Sequence, residues 1–266
     1  MPIERITTTN DIRLRPYQDL PRRRHAEKSG LFVAEGGLLF DRLLASVYEI
    51  QSVVLSDHFE SRYLPRIPDS VPVYVLPDVL TKQLVGFNFH RGIVSCGVRR
   101  RMTRCHQLTP PPGKWTIVVA SLVQQDDNLG GLLRNCAAFG VDQVILSDTG
   151  PDPFGRRALR TAMGTTFSLE LVRSSDLHQD LHGLQKEFDL ELFATVIDAS
   201  AEPLAEVKLS KRIGLVFGAE GDGIDDPTVR LCQRRVTIPM QLETDSLNVA
   251  VASGIVLHHF MRLAEQ

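Results

Sequence analysis

The chain has few cysteines and no long apolar run, and each absence excludes a class of protein. Its four cysteines, Cys96, Cys105, Cys136 and Cys232, are scattered without a C-x-x-C pair, so neither a disulfide framework nor a thiolate metal site is expected. No run approaches roughly 18 apolar residues, the length of a membrane-spanning helix. The N-terminal segment is charged where a signal peptide would need an apolar stretch. We therefore expect a cytoplasmic protein without a metal or a membrane partner.

The composition is that of an ordinary globular protein with a large core. The 266 residues are 43% hydrophobic and 23% charged, so the chain can bury a stable core without a disulfide or a structural metal. Three prolines and a glycine at Pro110–Gly113 stop both helix and strand. We accordingly predict a first domain at 1–108, a linker at 109–113 and a second domain at 114–266.

The net charge of −2 hides an asymmetry between the two predicted domains. Residues 1–112 contain 16 basic and 11 acidic side chains, whereas residues 113–266 contain 14 and 21. Two basic clusters lie in the first part, at Arg22-Arg23-Arg24 and at Arg99–Arg101 with Arg104. A basic first half, joined to an acidic second half of the same chain, indicates that the first half contacts a polyanion. We predict that Arg22, Arg23 and Arg24 contact the phosphates of such a polyanion, with solvated surface positions as the alternative.

Both domains have an α/β pattern, and that of the second is the more regular. In the first domain, helical spacing at 37–46 and 77–85 alternates with β-rich runs at 50–55, 71–76 and 92–98. In the second, apolar runs that begin at Trp115 and Gln143, and four later ones, alternate with helical patterns. Such an order predicts a parallel sheet covered on both faces. Ligands bind such sheets at the carboxyl ends of the strands.

The segment after the first strand of this sheet contains Asn128 and Arg134. We expect Asp126–Asn128 to cap the helix that follows. The segment after the fifth strand, Gly218–Ile224, has glycines that let the backbone wrap tightly around a ligand. A dinucleotide loop is the alternative, but that fingerprint belongs on the first strand of its domain.

The segment after the last strand contains Ser246 and Asn248 just before a long helical pattern. Asp245 or Ser246 is expected to cap that helix. A hydrolase role for Ser246 is disfavoured because no G-x-S-x-G elbow surrounds it.

Together, in this order and at these strand ends, the three segments resemble the motifs of the SpoU (TrmH) family of SPOUT RNA methyltransferases, over about residues 114–264. Residues 22–45 are similar to the start of a ribosomal-L30-like substrate-binding domain. The resemblance implies an α/β fold in which a parallel-sheet SPOUT domain with a deep trefoil knot follows a small α/β L30-like domain. It also implies a homodimer formed through the knotted domain.

The implied activity is methyl transfer from S-adenosylmethionine to a ribose 2′-hydroxyl of RNA, with rRNA favoured over tRNA. The resemblance places five residues around the cofactor, namely Gly218, Ile238, Leu247, Met240 and Asn248. It assigns catalytic positions to Arg134, Asn128, Glu220, Ser246 and Asn248. Asp127 departs from the family, which usually has proline there.

Arg134 is expected nearest the reacting hydroxyl, where a guanidinium can grip a phosphate and stabilise a forming alkoxide. Asn128 and Glu220 would then orient Arg134 or the RNA, and Glu220 as general base is the alternative. Two other functions remain open from the residues, a non-catalytic RNA-binding or ribosome-assembly protein and a nicotinamide-dependent oxidoreductase. A base nitrogen also remains open as the methyl acceptor.

Overall fold

The computed structural model describes residues 2–18, 30–85, 92–198, 200–208, 210–241 and 246–264. The chain forms two compact units. Unit 1 combines Met1–Arg101 with Asp152–Phe167, and unit 2 combines Met102–Pro151 with Ser168–Gln266. This division differs from the sequence-based split at 109–113, because a segment from the middle of the chain belongs to the first unit.

Unit 1 is built on a mixed sheet of five strands in the order β1-β4-β3-β5-β2. The strands are β1 (Ile3–Arg5), β2 (Leu31–Glu35), β3 (Ile50–Ser56), β4 (Val73–Leu76) and β5 (Ile93–Val98). Strands β1, β4 and β3 are parallel, while β5 is antiparallel to both β3 and β2. The helices of this unit are α1 (Arg15–Gln18), α2 (Gly37–Leu44), α3 (Glu60–Tyr63), α4 (Asp78–Val85) and, from the later segment, α6 (Arg156–Thr161).

Apolar side chains cover both faces of the unit 1 sheet. Successive residues of a strand point to opposite faces. Val54 accordingly packs with Tyr17 on one side, while its neighbour Val53 packs with Phe40 on the other. This two-sided burial explains why β2, β4 and β5 are mainly buried runs that do not alternate, whereas the edge strand β1 is exposed at all three positions.

The segment 152–167 is held in unit 1 by a buried ion pair. Arg99 donates from Nη1 and Nη2 to the Asp152 carboxylate at 2.8 and 2.6 Å, and its Nε donates to the Leu31 carbonyl at 2.8 Å. The Phe154 ring lies 5.2 Å from the ring of Phe32. Arg99 therefore has an internal partner, although the sequence placed it in a basic cluster at the surface.

Unit 2 contains a wholly parallel sheet of eight strands in the order β11-β13-β10-β12-β7-β8-β9-β6. The strands are β6 (Thr103–Arg104), β7 (Trp115–Ala120), β8 (Gln143–Ser147), β9 (Glu170–Ser174), β10 (Glu191–Thr195), β11 (Glu202–Pro203), β12 (Arg212–Phe217) and β13 (Arg234–Thr237). The helices are α5 (Asp126–Ala138), α7 (Leu177–Phe188), α8 (Asp226–Leu231) and α9 (Val249–Ala264). The parallel sheet predicted for this part of the chain is confirmed.

The start of α5 differs from its prediction. Asp126–Asn128 form its first turn, and Gln125 is the N-cap without a side-chain bond. The two acids still favour this end, because a helix N-terminus is positive. Asp127 occupies a first-turn position that proline also accommodates, since the amide there has no partner within the helix.

The described helices include none that is long and apolar enough to span a bilayer. All four cysteines are free. Burial raises the pKa of Cys96, Cys105 and Cys232 to about 12, which leaves these thiols protonated and poorly nucleophilic at neutral pH.

We predict that Asp152→Ala lowers the free energy of unfolding by about 3–5 kcal/mol, because it leaves the Arg99 charge buried without its partner. The two side chains are only 12% and 3% exposed. Urea titration measures the change. Glu60→Ala, which breaks the more exposed Arg5–Glu60 pair, is the matched control and should cost no more than about 1 kcal/mol. Equal costs would contradict the anchoring role of Asp152.

Candidate active site

A cavity of about 330 Å³ lies at the carboxyl ends of β10, β12 and β13. Its walls are mainly apolar, and the start of α9 closes one side with Val249, Ala252 and Val256. Four of the five residues expected to bind the cofactor line it, namely Gly218, Ile238, Met240 and Leu247. The fifth, Asn248, is not among the described lining residues. The volume is within the range of small-molecule sites, which are typically concave and mostly apolar.

The glycine-rich segment after β12 closes on itself beside this cavity. Ala219 and Gly223 exchange backbone hydrogen bonds of 2.8 and 3.2 Å. Gly221 and Gly223 have φ of 88° and 67°, which favours glycine. A Cβ on Gly218 would lie 2.2 Å from the carbonyl carbon of Gly223. The segment therefore depends on glycine for its own close packing, and it presents backbone to the cavity.

Asn248 joins the three segments that the sequence singled out. Its Nδ2 donates to Asn128 Oδ1 at 2.9 Å and also to Glu220 Oε1. Its Oδ1 accepts from the Ala250 amide at 2.9 Å, which caps α9. Asn248 is thus the capping residue that we expected at Asp245 or Ser246. Asp245 lies outside the described residues, and Ser246 is exposed and makes no side-chain hydrogen bond within them.

Arg134 is exposed on α5, whereas Asn128 is buried with 7% exposure. At 3.6 residues per turn, six positions separate their directions by about 120°. Arg134 makes no side-chain hydrogen bond or ion pair within the described part of the chain. Asn128 and Glu220 both accept from Asn248, and the expectation that they orient Arg134 or the RNA stays a prediction. The Arg134 guanidinium is left available to a ligand.

Close packing of α5 on α9 fixes the helix that carries Arg134. A Cβ on Gly131 would lie 2.4 Å from the Cβ of Ala250. Asn135 Nδ2 donates to the Ala250 carbonyl at 2.6 Å and to Ser253 Oγ at 2.9 Å. The sequence reasoning missed Asn135. An asparagine inside an apolar helix was the available signal, because it is a poor helix former that needs a polar partner.

Two further parts of the cavity were not predicted. Thr195–Ile197, at the end of β10, form one wall, and Asp222 lies on the glycine-rich segment. Their placement at strand ends of a parallel sheet was the signal that could have found them. Arg22, Arg23 and Arg24 lie outside the described residues. The described residues contain no group of three or more His, Cys, Asp or Glu that could hold a metal ion.

Comparison with known proteins gives a consistent result. The model of the SpoU rRNA Methylase family matches residues 116–258. An uncharacterised tRNA/rRNA methyltransferase of Mycobacterium bovis is 31% identical over 98% of this chain and 92% of its own length. A 23S rRNA (guanosine(2553)-2′-O)-methyltransferase of Bacillus subtilis is 24% identical over 97% of this chain and 99% of its own.

A solved structure shares the fold along the whole chain. The crystal structure of an AdoMet-bound rRNA methyltransferase from Sinorhizobium meliloti superposes with a TM-score of 0.85 at 23% identity and covers 98% of each chain. The α/β fold with a large parallel sheet is thereby confirmed.

We predict that Gly131 and Ala250 are energetically coupled. Gly131→Ala alone forces two Cβ atoms together, which opposes the gain in helix propensity, whereas adding Ala250→Gly removes the clash. The double variant should be about 1–2 kcal/mol more stable than the sum of the single changes predicts, measured in a double-mutant cycle by urea unfolding.

Gly183→Ala is the matched control for this cycle. It replaces a glycine of α7 at which an added Cβ would meet nothing within 4 Å, so it should stabilise the protein by about 1 kcal/mol. Strictly additive effects of Gly131→Ala and Ala250→Gly would exclude direct contact of the two helices at this point.

Proposed function

The chain belongs to the SpoU rRNA methylase family, and we propose that it transfers a methyl group from S-adenosylmethionine to a ribose 2′-hydroxyl of RNA. The observation that carries the proposal is the side chain of Asn248. It joins motif residues of three separate strand ends beside a cavity of suitable size. The Bacillus subtilis relative carries 2′-O-methyltransferase in its name, which favours a ribose oxygen over a base nitrogen.

The residues of the cavity fit the donor. S-adenosylmethionine supplies a methyl group already activated on a sulfonium. Ile238, Met240 and Leu247 offer apolar surface suited to an adenine ring, and backbone groups near Gly218 can bind the edge of that ring. Because residue 218 is glycine, no side chain at this position stands between the backbone and the adenine ring.

Arg134 is proposed to act on the acceptor. A guanidinium keeps its proton in proteins and is a poor base, but it binds phosphate in bidentate fashion and stabilises negative charge. The Arg134 side chain is exposed and without a partner in the described structure, as such a role requires. Glu220 is the alternative base, although its carboxylate already accepts a hydrogen bond from Asn248.

Unit 1 is proposed to bind the RNA. With the segment 152–167 included, it contains 18 basic and 12 acidic residues, which leaves 12 and 20 for unit 2. The charge asymmetry is therefore larger than the sequence split suggested. A surplus of cations supplies the salt-dependent part of RNA affinity. Its role as an L30-like RNA-binding domain, including Arg22, Arg23 and Arg24, remains a prediction.

Three finer features belong to the same proposal. We propose rRNA over tRNA because the Bacillus subtilis relative is named for 23S rRNA. A homodimer through unit 2 is supported by Val251 and Ile255, which are 52% and 40% exposed on one face of α9. Four free thiols fit a reducing cytoplasm. The trefoil knot stays a prediction.

We predict that Arg134→Ala lowers the rate of methyl transfer by about 10²–10³-fold, the usual effect of removing one charge-stabilising donor. The Kd for S-adenosylmethionine should stay within twofold, because Arg134 is not among the described lining residues of the cavity. Single-turnover transfer of labelled methyl to rRNA, with calorimetry for binding, measures both. Arg230→Ala, at an exposed site on α8, is the control. Near-normal transfer by Arg134→Ala would remove Arg134 from the reaction.

Replacing Arg22, Arg23 and Arg24 together with alanine should weaken RNA binding and flatten its salt dependence. The slope of log K against log salt should fall in magnitude by about 2 if all three contact phosphates, since each contact contributes roughly 0.7–0.9. Filter binding at several salt concentrations measures the slope. A control variant removes Lys186, Lys211 and Arg230, three exposed cations of unit 2. Equal slopes for both triple variants would show that Arg22–Arg24 do not contact phosphates and are solvated surface residues.

A further inference from the structure

Among the described residues that line the cavity, Asp222 is the one ionisable side chain. The others are apolar residues, glycines and two threonines, Thr195 and Thr237. A small molecule held in this cavity therefore meets a single protein charge from the described lining, and that charge is negative.

The backbone holds Asp222 in a defined place. It lies between Gly221 and Gly223, both with left-handed φ, inside the loop closed by the paired amides and carbonyls of Ala219 and Gly223. Left-handed φ at two positions gives this loop a shape that extended or right-handed helical backbone does not provide. Asp222 is therefore an exposed residue of the cavity lining that a backbone loop of defined shape holds in place.

The other acids of the same region are already engaged. Each has a partner within the described structure: Glu220 accepts from Asn248, Asp225 caps α8 through the Thr228 amide at 2.9 Å, and Asp226 lies 4.0 Å from Arg230. Asp222 makes no hydrogen bond or ion pair with described residues. No structural role in capping or pairing explains it, whereas its place on the cavity wall points to a ligand.

The donor in the proposed function has the complementary charge. Its methionine end carries a cationic sulfonium and a cationic ammonium against one carboxylate, so the molecule is positive overall. Opposite charges in contact attract by about 1 kcal/mol in water and by more where solvent is partly excluded. We infer that the Asp222 carboxylate binds the cationic methionine end of S-adenosylmethionine and contributes to selecting it. This inference rests on the proposed function.

The test compares three ligands by calorimetry on wild type and on Asp222→Asn. S-adenosylmethionine has both cations, S-adenosylhomocysteine has only the ammonium, and 5′-methylthioadenosine has neither. We expect Asp222→Asn to lower the affinity for S-adenosylmethionine by about fivefold, the upper end for an exposed ion pair. The affinity for 5′-methylthioadenosine should stay within twofold of the wild-type value. A parallel loss for S-adenosylhomocysteine assigns the contact to the ammonium, and no loss assigns it to the sulfonium.

Two control variants separate a direct contact from other effects. Asp226→Asn removes the same charge four positions away, outside the described lining of the cavity, and should change none of the three affinities. Asp222→Glu keeps the charge and should retain most of the affinity for S-adenosylmethionine. Raising the salt concentration should weaken wild-type binding of this ligand more than binding by Asp222→Asn, because salt screens an exposed pair.

The outcomes that overturn the inference are distinct from failure of the proposed function. An unchanged affinity of Asp222→Asn for S-adenosylmethionine, an equal loss for 5′-methylthioadenosine, or an equal loss in Asp226→Asn would each overturn the role of Asp222 while the wild-type chain still binds the donor. A wild-type chain that binds none of the three ligands would overturn the proposed function and this inference with it.

Discussion

The site depends on one amide side chain. An asparagine has two donor hydrogens and one acceptor oxygen, and Asn248 uses all of these groups. The donors go to Asn128 and Glu220, and the oxygen caps α9. An aspartate could cap the helix but has no hydrogen to donate. The residue type follows from the need to join a helix start to the ends of two other strands.

The structure separates the two halves of the proposed reaction. The donor has an apolar cavity at the ends of β10, β12 and β13, while the acceptor would meet an exposed guanidinium on α5. The packing of α5 on α9 connects them, because α9 also lines the cavity. Such an arrangement suits a transfer in which correct alignment does most of the work, which is worth on the order of 7–11 kcal/mol in favourable cases.

The sequence was most informative where the local pattern and the buried surface agree. The starts of β7 at Trp115 and of β8 at Gln143 were predicted to the residue, because both faces of a parallel strand are buried. The family resemblance placed Gly218 and Ile238 at the cofactor, and both line the cavity at the carboxyl ends of strands. Strand β2 (Leu31–Glu35) was missed because a short apolar run directly before a helix cannot be told from a buried helical segment by periodicity alone.

Other features depend on contacts between distant parts of the chain. The partner of Arg99 is Asp152, more than fifty positions away, so no local window indicates that this arginine is buried. The same holds for Asn135, whose partners lie on α9. The capping of α9 by Asn248 could not be predicted either, because Asp245, Ser246 and Asn248 lie within four positions and are equally good caps by type.

The return of residues 152–167 to unit 1 has a consequence for synthesis on the ribosome. Domains are generally taken to fold as they emerge, N-terminal one first. Here Arg99 gains Asp152, and Phe32 gains Phe154, only after β7 and β8 have been translated. The nascent chain must therefore keep an incomplete first unit in solution while the second begins to form, and the two units mature in an interleaved order.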